Sequence, residues 1–106
     1  MERTLVFEET FVSGTKLNEE VWSYDIGAGF WGNNESQYYT QSDKNVRIEE
    51  DGLTITAHKE EIDGNHYSSG RIQTRGKKTW QYGRFVIRAK MPAGKGTWPA
   101  IWMLGV

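Results

Sequence analysis

At 106 residues, the chain is long enough for one domain and no more, and that size can bury a modest core. Its 13 basic and 14 acidic residues are spread evenly and leave a net charge of −1, which argues against a nucleic-acid surface and against an acidic solvating tail. Without cysteine there are no disulfides and no thiolate metal sites, and no apolar run approaches membrane-spanning length.

Twelve Gly, five Trp and five Tyr beside few helix formers point to short strands and turns. Leu5, Phe7 and Phe11 predict a first strand over residues 4–11, ended by Ser13-Gly14-Thr15. Asn18 can cap a single helical turn over Asn18-Glu19-Glu20-Val21-Trp22. Gly27 to Asn34 reads as a glycine-rich loop with aromatics between the glycines. Strands follow over 35–41, 45–49 and 53–59, the last two joined by a tight turn at Glu50-Asp51-Gly52. Glu60 to His66 reads as a polar loop. Further strands are predicted over 69–75, 80–91 and 98–104. Within 80–91, Phe85, Ile87, Ala89 and Met91 share one face, and Arg84, Val86, Arg88 and Lys90 the other. Turns every eight to twelve residues and no repeat or linker predict one antiparallel β-sandwich or barrel.

The acidic runs Glu8-Glu9, Glu49-Glu50-Asp51 and Glu60-Glu61 place adjacent side chains in opposite directions or in turns. They read as solvated surface charge. His58 and His66 stand alone, with neither metal spacing nor a triad partner. Trp22 and Trp80 suit the core or the underside of loops. Trp31, Trp98 and Trp102 neighbour glycine, proline and polar residues, so their rings suit a sugar face or the end of a sandwich equally well.

Four blocks carry a resemblance. Phe30-Trp31-Gly32-Asn33-Asn34-Glu35-Ser36-Gln37-Tyr38-Tyr39-Thr40 is the first, and Ser69-Gly70-Arg71-Ile72-Gln73-Thr74 the second. The third is Tyr82-Gly83-Arg84-Phe85 with Arg88-Ala89-Lys90-Met91-Pro92, and the fourth Gly96-Thr97-Trp98-Pro99-Ala100-Ile101-Trp102-Met103-Leu104. Together, in this order, they resemble the laminarinase branch of glycoside hydrolase family 16, the endo-1,3-β-glucanases, some of which also cleave mixed-linked glucan. Val86, where the family often has Glu, and Ser36, where it often has Leu, depart from the pattern.

The resemblance implies an antiparallel jelly-roll sandwich of which residues 1–106 form the N-terminal part. It implies a retaining glycosidase chemistry whose Glu-x-Asp-x-x-Glu motif follows the fourth block, so that no residue here inherits a catalytic role. Substrate-binding positions carried over are Trp31, Asn33, Arg71, Trp98 and, less closely, Trp102. Thr10 and Gly52 match positions whose backbone carbonyls hold a structural calcium. The expected partner is β-1,3-glucan, bound weakly, and the expected setting is extracellular, although no signal-peptide pattern opens the chain. No cofactor is expected for chemistry. Two other readings stand beside this one: a non-catalytic glucan-binding module, and a self-assembling β-sandwich fragment. Strands lacking ladder partners, with an uncovered face at Phe85, Ile87, Ala89 and Met91, predict a homo-oligomer.

Overall fold

The computed structural model describes residues 2–12, 16–29, 35–50 and 52–105. Among them the chain is all-β, with no helix. The strands are β1 (Ser23–Tyr24), β2 (Gln37–Tyr39), β3 (Val46–Glu49), β4 (Gly52–Ile55), β5 (His58–Ile62), β6 (Asn65–Ser69) and β7 (Ile72–Gln73). They form a β2-β6-β5 sheet, a β3-β4 hairpin and a small β1-β7 pair.

The β3-β4 hairpin forms where the alternation places it, with Val46 opposite Ile55 and Glu49 opposite Gly52. A single predicted strand over 53–59 is instead two, because the chain leaves the hairpin at Thr56-Ala57 and enters the larger sheet as β5. The predicted polar loop at 60–66 is mostly strand. Only Asp63 and Gly64 turn there, both with positive φ (46° and 81°), which is the two-residue hairpin geometry that Asp-Gly favours. Polar side chains over 58–69 had masked a strand pair that is exposed on one face.

The sheet is mixed rather than purely antiparallel. β2 runs parallel to β6, with Gln37 opposite Tyr67 and Tyr39 opposite Ser69. The predicted strand over 69–75 is broken at Gly70 into the end of β6 and the short β7. Gly70 packs against the β3-β4 hairpin: a methyl group there would come within 2.3 Å of a Val46 methyl and 3.2 Å of an Ile55 methyl.

The predicted strands over 4–11, 80–91 and 98–104 do not form. A strand exists only as a member of a ladder, and no described residue hydrogen-bonds along these stretches to complete one. Within 79–105 the sole backbone bond to another described residue is the local one from the Thr97 N–H to the Gly94 carbonyl. The N-terminal stretch is held by side chains instead. Trp22 donates its ring N–H to Glu9 (2.9 Å) and lies beside Phe11, while Phe7 and Phe85 flank Trp80. Trp22 is thus half-buried beside the chain, whereas Trp80, expected in the core or under a loop, is exposed despite its two ring contacts, because the stretch around it has no ladder partner to cover it. Asn18 caps its turn, its side chain accepting from the Glu20 N–H and its carbonyl from Val21 and Trp22.

The buried apolar set among the described residues is small: Leu17, Val21 and Val46. A polar network beside it joins the hairpin to the larger sheet. Asn45 is fully buried and donates to the Thr56 carbonyl and to Ser68 Oγ, each at 3.0 Å, and accepts from the Thr40 hydroxyl. Ser68, also fully buried, donates its hydroxyl hydrogen bond to one oxygen of Glu60, whose other oxygen pairs with Lys44. Those two donors, Lys44 first, hold the Glu60 carboxyl below the ordinary glutamate value of 4.5. A pKa lowered by folding adds stability above the unfolded value and loses it as the pH falls through the folded one. Urea midpoints should therefore decline below pH 4.5, and a Glu60→Gln variant, which keeps an acceptor for Ser68, should decline less steeply. Parallel curves for the two proteins would contradict this coupling.

Candidate functional site

Alternation along Glu35, Gln37 and Tyr39 sends three polar or aromatic side chains to one face. Glu35 accepts from the Gln37 amide at 2.6 Å and from the Tyr39 hydroxyl at 3.0 Å. Burial, reinforced by that hydrogen bond to a carboxylate, raises the Tyr39 pKa above the ordinary tyrosine range, so its hydroxyl remains a donor at neutral pH. The strand is locked on both sides. Tyr39 exchanges backbone bonds with Gly27 at 2.9 Å in each direction, and the Thr40 N–H donates to the Ser69 carbonyl.

Arg71 reaches the same place from the segment between β6 and β7. Its backbone carbonyl accepts from the Asp25 N–H at 2.9 Å, and its Nε lies 3.0 Å from Asp25 Oδ2. The guanidinium carbon stands 5.9 Å from the Tyr39 ring centre and 5.2 Å from that of Trp102. The pair is partly shielded from water, which strengthens it relative to an open surface contact. The result is a cluster of one cation, two aromatic rings and two carboxylates, chemically able to hydrogen-bond hydroxyl groups and to offer apolar ring surface.

The structure thus brings together two of the residues singled out from the sequence, Arg71 and Trp102. Trp98 is 70% exposed and makes no hydrogen bond or ring contact with another described residue. Trp31 and Asn33 lie outside the described residues. Asp25, Glu35 and Tyr39, none of them singled out as site residues from the sequence, complete the cluster. For Glu35 and Tyr39 the period-2 spacing was an available signal. For Asp25 there was none, because its partner lies far along the chain.

Thr10 and Gly52 are neighbours: a Cβ on Gly52 would lie 4.0 Å from the Thr10 carbonyl oxygen. Backbone oxygens suit calcium, but two of them fall well short of its six to eight ligands. Among the described residues no cluster of three carboxylate or imidazole side chains completes a metal site. His66 pairs with Glu61 on the surface, and His58 contacts the Lys44 carbonyl at 2.8 Å.

The family model described as glycosyl hydrolases family 16 matches residues 33–106. The beta-glucanase of Rhodothermus marinus is 48% identical over 101 residues, covering 94% of this chain and 35% of that protein. The glucan endo-1,3-beta-glucosidase A1 of Niallia circulans is 39% identical over 115 aligned residues, which cover 94% of this chain and 17% of that protein. The solved laminarinase of Rhodothermus marinus superposes with a TM-score of 0.68 at 41% identity, over 74% of this chain and 32% of that one. The chain therefore spans about a third or less of the length of these relatives. The superposition also gives the architecture: the seven short strands are part of an all-β jelly roll.

Proposed function

Since the chain belongs to glycosyl hydrolase family 16, we propose that it forms part of the β-glucan cleft of an endo-1,3(4)-β-glucanase and does not itself cleave glycosidic bonds. The observation that carries this reading is the Arg71 cluster. Its guanidinium has five donors in a planar fork, suited to sugar hydroxyls, and is held by Asp25 beside the rings of Tyr39 and Trp102. Trp31, Asn33 and Trp98 are proposed to line the same cleft, on the strength of the sequence resemblance.

Retaining hydrolysis requires two carboxyl groups about 5–5.5 Å apart across the scissile bond. The two carboxylates of the cluster are held in other contacts, Asp25 with Arg71 itself and Glu35 with Gln37 and Tyr39. Calcium, where it binds, takes the carbonyls of Thr10 and Gly52, and with so few oxygens it binds weakly here. The setting proposed for the protein is extracellular, where β-glucan is encountered.

The test is a pair of measurements on the purified chain. Laminarin should release no reducing ends, while calorimetric titration with laminari-oligosaccharides should give weak binding that Arg71→Ala reduces about tenfold, the loss of one charge-assisted contact. Activity that co-purifies with the chain would overturn the non-catalytic part of the proposal. Unchanged affinity in Arg71→Ala would remove the site.

One further property follows from the exposed apolar residues. Tyr82, Val86, Ile87, Ile101, Met103 and Leu104 are all exposed along a stretch with no ladder partner among the described residues. Such a stretch seeks cover, and for the isolated chain the available cover is a second copy. Light scattering should then report about twice the 12.2 kDa chain mass. A monodisperse monomer would refute self-association.

A further inference from the structure

The mixed sheet has an exposed aromatic that the Arg71 cluster does not use. Residues opposite one another in a ladder point to the same side. The pairing of Gln37 with Tyr67, Tyr39 with Ser69 and Lys59 with Tyr67 therefore sets Gln37, Tyr39, Lys59 and Tyr67 on one face. Burial agrees, for Ser68, on the other face, is fully enclosed, whereas Tyr67 is 44% exposed. The Tyr67 ring makes no hydrogen bond or ring contact with another described residue.

Tyr67 also borders a depression of about 440 Å³ at the β5-β6 hairpin, lined by Lys59, Glu60, Glu61, His66 and Tyr67. Lys59 lines it from the Tyr67 face, while His66, next to Tyr67 in the strand and paired with Glu61, alternates to the face of Ser68. An exposed tyrosine alone is ordinary. A tyrosine flanked by Lys59 and Gln37, on the same sheet face as Tyr39 of the guanidinium-aromatic cluster, has the two chemistries a sugar needs: a ring for its C–H face and polar groups for its hydroxyls. Diagonal neighbours across a sheet stand about 7–8 Å apart, so Tyr39 and Tyr67 are separate platforms rather than one.

We propose that Tyr67, with Lys59 and Gln37 beside it on the same face, is a further glucan-binding platform that continues the Arg71–Trp102 surface across β6 towards β5 and engages only longer oligosaccharides. The proposal rests on the reading of the Arg71 cluster as a glucan site, and its test separates the two.

Laminaritriose and laminarihexaose are titrated calorimetrically into the full chain and into Tyr67→Thr, Tyr67→Phe and Arg71→Ala. Threonine keeps strand propensity, and a far-UV circular dichroism spectrum matching the parent ties any loss to the ring. The expected result is that Tyr67→Thr weakens the hexaose about five- to tenfold and the triose less than twofold. Tyr67→Phe, which keeps the ring, should bind like the parent, and Arg71→Ala should weaken both sugars. If Arg71→Ala weakens both while Tyr67→Thr leaves the hexaose unchanged, the platform is wrong and the Arg71 site stands. An equal loss for both sugars in Tyr67→Thr also overturns the platform, as does a Tyr67→Phe variant as weak as Tyr67→Thr. If the unsubstituted chain binds neither sugar, or Arg71→Ala changes nothing, both readings fall.

Discussion

Asn45→Ala will be among the most damaging single substitutions in the described chain, lowering stability by about 2–4 kcal/mol. Asn45 is fully buried and its side chain serves three partners: the Thr56 carbonyl, Ser68 Oγ and the Thr40 hydroxyl. Alanine removes all three bonds and leaves their partners enclosed, where an unsatisfied polar group costs more than the bond itself contributes. Ser68 retains Glu60 as an acceptor, which limits the loss. Asn45→Asp should be milder on the Thr40 side, whose hydroxyl keeps its acceptor, but it replaces the donor facing Thr56 and Ser68 with a charge. Urea unfolding followed by tryptophan fluorescence reads the difference directly. An Asn45→Ala midpoint within error of the parent would mean that the network contributes nothing to folding.

Gly70→Ala is the second large effect, for the opposite reason: it adds a group where there is no room. The new methyl would lie 2.3 Å from Cγ2 of Val46, which is 3% exposed and β-branched, so that its χ1 is restricted and it has no easy retreat. Ile55 and the Asn45 carbonyl close the other sides at 3.2 and 3.4 Å. Overpacking of this kind costs about 1–3 kcal/mol. Val46→Ala should offset part of the clash, so the double variant should be more stable than the sum of the singles predicts. Strict additivity would show that the two positions do not meet.

These two residues also show how far the sequence could be read. Gly70 was visible within Ser69-Gly70-Arg71-Ile72, but what it packs against was not, because Val46 and Ile55 lie on a different hairpin. Asn45 stands at the head of the predicted strand over 45–49 with nothing local to mark it as buried, since its partners arrive from Thr40, Thr56 and Ser68. The β3-β4 hairpin was legible from alternation alone because one face is partly buried and the turn is local. The β5-β6 hairpin was not, since between His58 and Ser69 only Ile62 and Tyr67 break a polar run and no regular apolar half of the pattern remains. Parallel pairing of β2 with β6 leaves no local trace at all. The opposite error occurred at 80–91 and 98–104, where alternation is clear and no strand forms. Alternation records a face that wants cover and a backbone that wants a partner, and it is silent on whether either is supplied. At the candidate site, Arg71 and Trp102 came from family likeness and their contact from the fold. Asp25 could be assigned only once its backbone was found against that of Arg71.

The parallel strand also constrains how the molecule comes together in time. β3-β4 and β5-β6 each close through a turn of a few residues, and hairpins of that sort form in about 1–10 μs. β2 cannot join early, because its register sets Gln37 against Tyr67, and both hairpins lie in the intervening chain. Closing that loop pays its entropy before any ladder bond returns it. The hairpins therefore form first and β2 docks onto a finished β6 edge. Thr40, which follows β2, and Arg71, which follows β6, reach their partners in that same late step. The candidate site and the polar network that spans the hairpin are completed together, so a chain that has not yet gained its full stability has not yet assembled its binding surface.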